Sequence, residues 1–439
     1  MKNVLVLGAG LVSRPLVRYL LNVPEFKVTV ASRTVSKAVK LIDGHPRGEA
    51  QALNVKDDAQ LEELVKECDL AISLLPYVYH VKVAELCIKH KKNMVTTSYI
   101  SDAMKALDQR AKDAGIIILN EIGVDPGIDH MSAMRIIHAV ENSGGKVISF
   151  RSYCGGLPAP EANDNPYGYK FSWSPRGVLM AGCNDAKYMK DGEIVEIEGK
   201  DLFRNHWLLH IEGEPEFETY PNRDSLPYIE TYGLKDVKTM FRGTIRNTGW
   251  CKTLICIARL GVLDETERDD LKGFTYNDLT RRLVSASEGV STREATKIFL
   301  GEDSSEEVLD RLEWLGLFSD DPLPEENTYI DIMTARFLEK MPYKEGERDM
   351  IVLYHDFLAE WTDKKKRITS TLVDYGIPHG DSSMSRTVSL PAAIATRLIL
   401  QDKIDITGVH APVLPAIYNP VLDELETMNI VCKEKEYAL

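Results

Sequence analysis

Residues 2–21 read KNVLVLGAGLVSRPLVRYLL and predict a β-strand, a glycine turn and a helix. The strand is the apolar run 2–7, the turn is 8–13, and the helix begins near Arg14. A second strand, 27–31, follows and runs into Ser32, Arg33 and Thr34. Glycines at such a turn let the backbone approach a pyrophosphate, whose charge then lies at the N-terminus of the helix. The pattern therefore predicts a dinucleotide-binding βαβ unit, although Ser13 replaces the third glycine of GxGxxG.

The residue that closes the second strand indicates which dinucleotide binds. An Asp or Glu at this position accepts a hydrogen bond from the 2′-hydroxyl of NAD and repels the 2′-phosphate of NADP. The acid is missing here and Arg33 is present. We therefore expect NADP(H) as the cofactor, and with it a redox reaction. The alternatives are an ordinary βα turn that binds no ligand and an Arg33 side chain that is only solvated.

Composition limits the class of protein. The chain has 439 residues, of which 44% are hydrophobic and 27% are charged, as is typical of a globular protein with two or three domains. The net charge of −14 argues against broad binding to nucleic acid or to anionic membranes. Seven cysteines without a CxxC pair predict reduced thiols and a cytoplasmic location. No histidine has the spacing of a metal ligand, so we expect no metal, and no apolar stretch approaches membrane-spanning length.

The order of the predicted elements gives the fold class. Strands and helices alternate through the first quarter, which predicts an α/β protein with a Rossmann-type, doubly wound parallel sheet. The pattern then becomes mixed, with predicted strands at 147–154 and 240–246 and a mostly helical insertion at 252–340. Residues 350–361 and 367–374 predict an antiparallel hairpin, and 382–400 predict a long helix despite Pro391.

Candidate catalytic residues lie where predicted strands end. Ligands of doubly wound sheets bind beyond the carboxyl ends of the strands, and Tyr99 and Asp125 each follow such a strand. Asp125 is a candidate acid, base or substrate ligand. The alternative is a helix-entry turn in which Asp129 is the N-cap. The Tyr99 phenol is suited to donate to a developing oxyanion or nitrogen, but it equally suits a pocket wall.

The middle of the chain offers a thiol and several arginines. Cys154 precedes Gly155 at a strand end, but a thiolate nucleophile needs an adjacent base and none is visible, so a buried inert thiol is the alternative. Arg242 and Arg246 are separated by an even step and share one face of a strand. Guanidinium groups bind carboxylates bidentately, which suits a substrate with several carboxylates. Surface solvation is the alternative for each arginine, Arg223 included.

Ten motifs match a known family. They are GAGLV (8–12), ASRT (31–34), ISLLPY (72–77), VTTSYIS (95–101), NEIGVDPGIDH (120–130), SYCGGLPAP (152–160), GYKFSWS (168–174), YPNRDS (220–225), WLGLF (314–318) and STLVDYG (370–376). In this order they closely resemble the saccharopine reductases, the NADP-dependent, L-glutamate-forming saccharopine dehydrogenases of fungal lysine synthesis. The resemblance spans nearly the whole chain and is loose only over 252–340.

The resemblance implies a reaction and an organisation. L-Glutamate and L-2-aminoadipate 6-semialdehyde would condense to an imine, and NADPH would reduce it reversibly to saccharopine, the penultimate step of the aminoadipate route to lysine. The resemblance also implies a homodimer and a cleft that closes between two domains. The expected parts are a Rossmann domain at 1–128, completed by about 390–439, an α/β substrate and dimerisation domain at 129–251 and 341–389, and the helical insertion at 252–340.

The family's contacts carry over onto matching motifs. Cofactor contacts would be Gly8, Gly10, Leu11, Val12, Ser13, Ser32, Arg33, Thr34, Asn54, Val55, Leu75, Thr97, Ser98, Val124, Asp125, Pro126 and Ser174. Substrate contacts would be Ser98, Tyr99, Asp125, Arg223, Thr244, Ile245 and Arg246. Asp125, Tyr99 and Cys154 are the candidate proton-transfer groups, without an assignment of which does what.

Two other functions stay open at this point. One is a related reductase that joins an amine to a semialdehyde in polyamine synthesis, whose cationic substrates would need an acidic cleft. The other is a non-catalytic protein that senses NADP through a Rossmann domain.

Overall fold

The computed structural model describes residues 1–439, and the chain divides into two compact units. Unit 1 comprises Met1–Val147 and Phe357–Leu439, and unit 2 comprises Ile148–Asp356. The expected three-part division, with boundaries at 128, 251, 340 and 389, stays a prediction. Unit 2 contains both the expected helical insertion and part of the expected substrate domain.

The chain contains the following strands: β1 (Lys2–Leu7), β2 (Phe26–Ser32), β3 (Gly48–Ala52), β4 (Leu70–Ser73), β5 (Asn93–Thr96), β6 (Ile117–Leu119), β7 (Lys146–Pro158), β8 (Ala186–Lys190), β9 (Glu193–Ile197), β10 (Trp207–Leu209), β11 (Phe217–Pro221), β12 (Thr239–Asn247), β13 (Asp349–Glu360), β14 (Lys365–Tyr375), β15 (Gly408–His410) and β16 (Lys433–Ala438).

The helices are α1 (Ser13–Asn22), α2 (Val35–Ile42), α3 (Asp58–Glu67), α4 (His80–His90), α5 (Asp102–Lys105), α6 (Asp108–Ala114), α7 (Ile128–Asn142), α8 (Pro175–Ala181), α9 (Pro227–Thr231), α10 (Trp250–Arg259), α11 (Tyr276–Leu283), α12 (Thr292–Leu300), α13 (Glu306–Leu315), α14 (Tyr329–Lys340), α15 (Ser383–Leu400) and α16 (Pro415–Thr427).

Unit 1 is built on a seven-stranded parallel sheet in the order β15-β6-β5-β4-β1-β2-β3. Helices cover both faces, with α1 and α15 on one side and α3 and α4 on the other, so the central strands are apolar and buried along their length. The doubly wound parallel sheet is therefore confirmed. Because β1 lies between β4 and β2, the strand order reverses at β1, and the turn that follows β1 lies where such sheets bind dinucleotides.

The C-terminal part of the chain contributes to unit 1. The expected hairpin is confirmed, since β13 and β14 are neighbouring strands and the turn between them closes with a 2.8 Å hydrogen bond from the Trp361 N–H to the Lys364 carbonyl. The expected long helix is confirmed as α15, which packs against α1, β4 and β5. Strand β15 then pairs with β6 at the edge of the parallel sheet.

Unit 2 contains a mixed sheet in the order β10-β11-β12-β7-β13. Strand β12 runs parallel to β7 and antiparallel to β11, and β8 joins β12 antiparallel. The mixed α/β character expected for this part is confirmed. Helices α10 to α14 fill 250–340 with turns between them, as the sequence predicted for the insertion. Side chains alternate between the two faces of the sheet, so the register of β7, β11 and β12 decides which residues meet.

Candidate cofactor and substrate sites

The turn after β1 fits a pyrophosphate. Gly8 has φ +117°, and a Cβ there would lie 2.9 Å from the Leu74 carbonyl oxygen, so only glycine fits. A Cβ on Gly10 would meet nothing within 4 Å, which leaves the outer side of the turn open. Ser13, at the third position of the motif, is buried, and its hydroxyl accepts the Gly10 N–H at 3.0 Å. The first turn of α1 holds no acidic side chain that would repel an anion from its N-terminus.

Arg33 is free to bind an anion beside this turn. Strands β1 and β2 are adjacent and parallel, and the Gly8 N–H donates to the Ala31 carbonyl at 2.9 Å. Ser32 to Thr34 therefore follow directly beside the glycine turn, and the Ser32 hydroxyl accepts the Thr34 N–H at 3.3 Å. The Arg33 side chain is exposed and forms neither an ion pair nor a hydrogen bond. Its guanidinium fits the 2′-phosphate that the sequence predicted there.

The other expected cofactor residues of unit 1 lie along the same edge. Parallel strands place their carboxyl ends at one edge of the sheet, and the turns after β3, β4, β5 and β6 all lie there. These turns carry Asn54, Val55, Leu75, Thr97, Ser98, Val124, Asp125 and Pro126. Within the glycine turn, Leu11 is 73% exposed, which is unusual for a large apolar side chain and suits contact with a ligand.

Two of the three expected catalytic residues are in contact. The Tyr99 hydroxyl donates to Asp125 Oδ1 at 3.2 Å, and both side chains are partly buried. The loop that carries Asp125 is tight, because a Cβ on Gly127 would lie 2.0 Å from the Gly123 carbonyl oxygen. The alternative in which Asp129 is the N-cap of the next helix is wrong. Gly127 is the N-cap of α7, and Asp129 lies in the first turn, where its carboxylate accepts the Gly127 N–H at 2.5 Å.

A buried acid–histidine pair ties these loops together, and sequence reasoning did not find it. His130 Nε2 lies 2.7 Å from Glu121 Oε2, and both side chains are buried. The other oxygen, Glu121 Oε1, accepts the Ile100 N–H at 2.8 Å. Glu121 therefore connects the loop after β5, which carries Tyr99, to the loop after β6, which carries Asp125. This holds the two catalytic candidates in one arrangement.

A second buried histidine joins the turns after β4 and β5. His80 Nδ1 lies 2.8 Å from Ser73 Oγ, and His80 Nε2 lies 2.8 Å from Ser98 Oγ. Ser98 is among the cofactor and substrate contacts expected from the resemblance. His80 was considered only as a metal ligand, for which its spacing is unsuitable. The His80 side chain is 4% exposed, and this burial lowers the pKa of its imidazole from 6.5 to about 4. His80 is therefore neutral at pH 7.

His80 should make the protein less stable in mild acid. The unfolded chain binds the His80 proton more readily than the folded chain between pH 6.5 and about 4, so the free energy of unfolding falls as the pH falls through this range. Between pH 7 and pH 5 we expect a loss of about 2 kcal/mol from this residue. Urea unfolding at both pH values measures it. The loss should be smaller by this amount in His80→Gln, and equal losses in the two proteins would refute the lowered pKa.

In unit 2, three expected site residues share one face of the sheet. Cys154 on β7 pairs with Thr244 on β12, and Arg246 follows two residues later on the same face. Glu218 and Tyr220 on β11 lie directly opposite Arg246 and Thr244 and point the same way. Ile245 points to the other face and is fully buried, so its backbone rather than its side chain is available here. A Cβ on Gly155 would lie 2.5 Å from the Ile245 carbonyl oxygen, which explains the glycine after Cys154.

Arg246 is a buried cation without a carboxylate partner. It is 4% exposed, and its guanidinium carbon lies 4.9 Å from the Tyr169 ring centre, 5.4 Å from that of Trp250 and 6.0 Å from that of Tyr220. Nη1 donates to the Ile245 carbonyl at 2.8 Å, whereas Nε has no hydrogen-bond partner. Burial raises the pKa of Tyr220 to about 12 and also raises that of Tyr169, so neither ring supplies a negative charge. Arginine stays charged whether it is buried or exposed to water. This site therefore contains a buried positive charge that no anion neutralises.

Glu218 is the carboxylate that stands opposite Arg246, and it is bound elsewhere. Its Oε1 accepts the Gly249 N–H at 2.6 Å, and its Oε2 accepts the Cys251 N–H at 2.9 Å. These N–H groups belong to the N-terminus of α10, where the helix dipole also stabilises a negative charge. Both carboxylate oxygens of Glu218 are thus occupied by backbone, and Arg246 keeps its charge for another anion.

Comparison with known proteins decides the family. Residues 4–119 match the model of the saccharopine dehydrogenase NADP binding domain, and residues 123–430 match that of the saccharopine dehydrogenase C-terminal domain. The chain belongs to the saccharopine dehydrogenase family. The resemblance stated from the motifs is confirmed, and the glycine turn and Arg33 lie inside the NADP-binding domain.

Relatives of this family match the chain over its whole length. Saccharopine dehydrogenase (NADP(+), L-glutamate-forming) of Schizosaccharomyces pombe is 43% identical over 445 residues, which are 99% of this chain and 99% of that protein. The protein of the same name from Saccharomyces cerevisiae is 41% identical over 446 residues, with 100% of both chains covered. The solved structure of apo histidine-tagged saccharopine dehydrogenase (L-Glu forming) from Saccharomyces cerevisiae has a TM-score of 0.92 at 40% identity, with full coverage of both chains.

The remaining site residues expected from the saccharopine dehydrogenase resemblance are held by local contacts. Arg242 shares the face of Arg246, as the even spacing predicted, but its guanidinium donates to the Tyr228 hydroxyl at 2.6 Å and stacks on that ring. Arg223 is exposed, has φ +56° and accepts the Lys187 N–H on its carbonyl. The Ser174 hydroxyl accepts the Gly177 N–H as the N-cap of α8. Ligand contacts of Arg223 and Ser174 stay predictions.

The structure adds three observations on other site classes. No group of three or more His, Cys, Asp or Glu side chains is placed to hold a metal ion. All seven cysteines of the chain are free thiols. None of its helices has the length and apolar character needed to cross a membrane.

Proposed function

We propose that this chain catalyses the NADPH-dependent reduction of the imine formed from L-glutamate and L-2-aminoadipate 6-semialdehyde, giving saccharopine in a reversible reaction of lysine biosynthesis. The observation that carries this proposal is the buried Arg246 guanidinium, which three aromatic rings surround and no carboxylate neutralises. Such a cation suits a substrate with several carboxylates. It opposes the alternative of a polyamine substrate, whose positive charge would be repelled.

Unit 1 supplies the proposed cofactor site. The Gly8–Ser13 turn and the N-terminus of α1 would hold the pyrophosphate, and Arg33 would hold the 2′-phosphate of NADP(H). Asn54, Val55, Leu75 and the turns after β5 and β6 would contact the rest of the dinucleotide. NADPH, when bound, supplies the hydride that reduces the imine. The residues at this edge of the sheet orient the cofactor. They place no acidic side chain beside the positions of the phosphates.

Substrate binding and proton transfer are assigned by group. The proposed substrate contacts of unit 2 are Arg246, Thr244 and Arg223, and those of unit 1 are Ser98, Tyr99 and Asp125. Imine formation and reduction need a proton on the departing oxygen and one on the product nitrogen, so groups that hold protons at neutral pH are required. Tyr99 with its hydrogen bond to Asp125 and the buried Cys154 thiol are the proposed groups. Asp125 alternatively anchors the substrate ammonium.

We also propose a homodimer located in the cytoplasm. Support for the homodimer is an aromatic surface on the second face of the unit 2 sheet, where Trp207 and Tyr188 pack on Phe241 around a depression of about 290 Å³. Trp207, at the edge of this surface, is 37% exposed. A second copy of the chain would cover these apolar groups. Support for the cytoplasm is the set of free thiols.

One assay tests the proposed reaction. With purified protein, L-glutamate and the semialdehyde, we expect NADPH absorbance to fall and saccharopine to appear by mass spectrometry. With putrescine or diaminopropane in place of glutamate, we expect no turnover. Turnover with the amines alone would favour the polyamine reductase. NADPH binding without turnover on any amine and aldehyde pair would favour the NADP-sensing protein.

A further inference from the structure

A hydrogen-bonded row of three side chains runs from the interior of unit 1 to the turn after β5. Ser73 lies at the end of β4 and is fully buried, His80 begins α4, and Ser98 follows β5. Both distances in the row, from His80 Nδ1 to Ser73 Oγ and from His80 Nε2 to Ser98 Oγ, are 2.8 Å. Both ring nitrogens of His80 are therefore in use, and the ring cannot turn without breaking a bond.

The row fixes the orientation of the Ser98 hydroxyl. In a neutral imidazole one nitrogen donates and the other accepts, so Ser73 and Ser98 must take complementary roles. A hydroxyl oxygen that is held by one such bond is fixed in position, and its other hydrogen-bonding capacity remains for a ligand. The backbone of Ser98 is held separately, since its N–H lies 3.4 Å from Thr96 Oγ1, and Thr96 Oγ1 donates to the Ser73 carbonyl at 2.9 Å.

We propose that His80 is a positioning residue for this enzyme, which presents the Ser98 hydroxyl to the bound cofactor and substrate in one orientation. The inference rests on the proposed function, in which Ser98 contacts both NADP(H) and the substrate. Ser98 precedes Tyr99, whose hydroxyl meets Asp125, so His80 also anchors the start of the loop that carries a catalytic candidate.

His80 acts through orientation rather than by exchanging protons. Its side chain is buried between two serine hydroxyls, and burial is the cause of its lowered pKa of about 4, with no charged neighbour contributing. The imidazole therefore keeps one protonation state across the neutral range. Its removal should change the rate without changing the shape of the pH–rate profile above pH 6.

Two amide variants separate the two bonds of His80. An asparagine amide stands in for the Nδ1 side of the ring and keeps the bond to Ser73, whereas a glutamine amide stands in for the Nε2 side and keeps the bond to Ser98. We expect His80→Asn to lower kcat/KM at least tenfold and to raise the NADPH dissociation constant at least threefold. His80→Gln should stay within threefold of the wild type in both. His90→Gln, at the other end of α4, is the matched control and should leave both values unchanged.

A double variant tests whether His80 acts through Ser98. In the Ser98→Ala background, His80→Asn should cause no further loss of kcat/KM. Equal impairment of the two amide variants, a full additional loss in the Ser98→Ala background, or the disappearance of a pH–rate limb in His80→Gln would each overturn the proposal. If the wild type itself does not oxidise NADPH with glutamate and the semialdehyde, the proposed function fails. The NADPH dissociation constants, measured by cofactor fluorescence, then still decide the role of His80.

Discussion

Replacing Arg246 by methionine is expected to abolish most of the activity while leaving the fold as stable as before or more stable. The guanidinium is buried, its Nε has no partner, and no carboxylate lies against it, so in the free protein it costs solvation energy. Methionine fills a similar volume and keeps the contacts with Tyr169, Tyr220 and Trp250. The free energy of unfolding should therefore not fall, and a rise of about 1 kcal/mol is expected.

The same change removes the cation that a substrate carboxylate needs. A charged hydrogen bond in a buried site is worth about 3 kcal/mol, so kcat/KM for saccharopine should fall about a hundredfold. Steady-state kinetics and urea unfolding on the same preparation measure both effects. Arg246→Lys is the control, because it keeps the charge but loses the bidentate geometry. Its kcat/KM should lie between the values of the wild type and of Arg246→Met. Full activity in Arg246→Met would remove Arg246 from the substrate site, and a loss of stability above about 2 kcal/mol would make it a structural residue.

Replacing Arg33 by aspartate is expected to change the cofactor preference. The exposed guanidinium has no partner of its own in unit 1, and the turn beside it fits a pyrophosphate. The substitution removes an attraction to the 2′-phosphate and adds a repulsion, and it also offers an acceptor for the 2′-hydroxyl of NAD. We expect the ratio of kcat/KM for NADP to that for NAD to fall at least tenfold, which corresponds to about 1.4 kcal/mol.

A charge-matched control separates this contact from the general field of the protein. Lys200→Asp makes the same change of net charge at an exposed position of unit 2. Its cofactor ratio should equal that of the wild type within twofold. An unchanged ratio in Arg33→Asp, or the same fall in both variants, would show that Arg33 does not contact the 2′-phosphate.

The features that the sequence predicted are those with local signals. The apolar run of β1, the glycines of its turn and the arginine after β2 lie within 33 residues of each other, so the dinucleotide site was visible in the chain. The even spacing of Arg242 and Arg246 also placed them correctly on one face. Spacing does not show which guanidinium is available to a substrate. Only the structure shows that the Arg242 guanidinium donates a hydrogen bond to the Tyr228 hydroxyl.

The features that sequence reasoning missed depend on pairing between distant segments. His80 meets Ser98 because β4 and β5 are neighbours, and Glu218 meets Gly249 because β11 pairs with β12 just before α10 begins. These contacts span 18 and 31 residues, and no periodicity encodes them. Asp129 was misplaced as an N-cap because the Gly123–Gly127 backbone turns more tightly than composition indicates.

The way that Glu218 is held has a consequence for long-range attraction. A chain with a net charge of −14 repels anions at a distance, so its surface as a whole does not attract a substrate with three carboxylates. Because backbone N–H groups bind both oxygens of Glu218, the Arg246 guanidinium keeps hydrogen-bond donors for a carboxylate of another molecule. Selection of an anionic substrate then depends on a short-range contact between its carboxylate and the buried guanidinium. Dissolved salt screens such a buried contact only weakly.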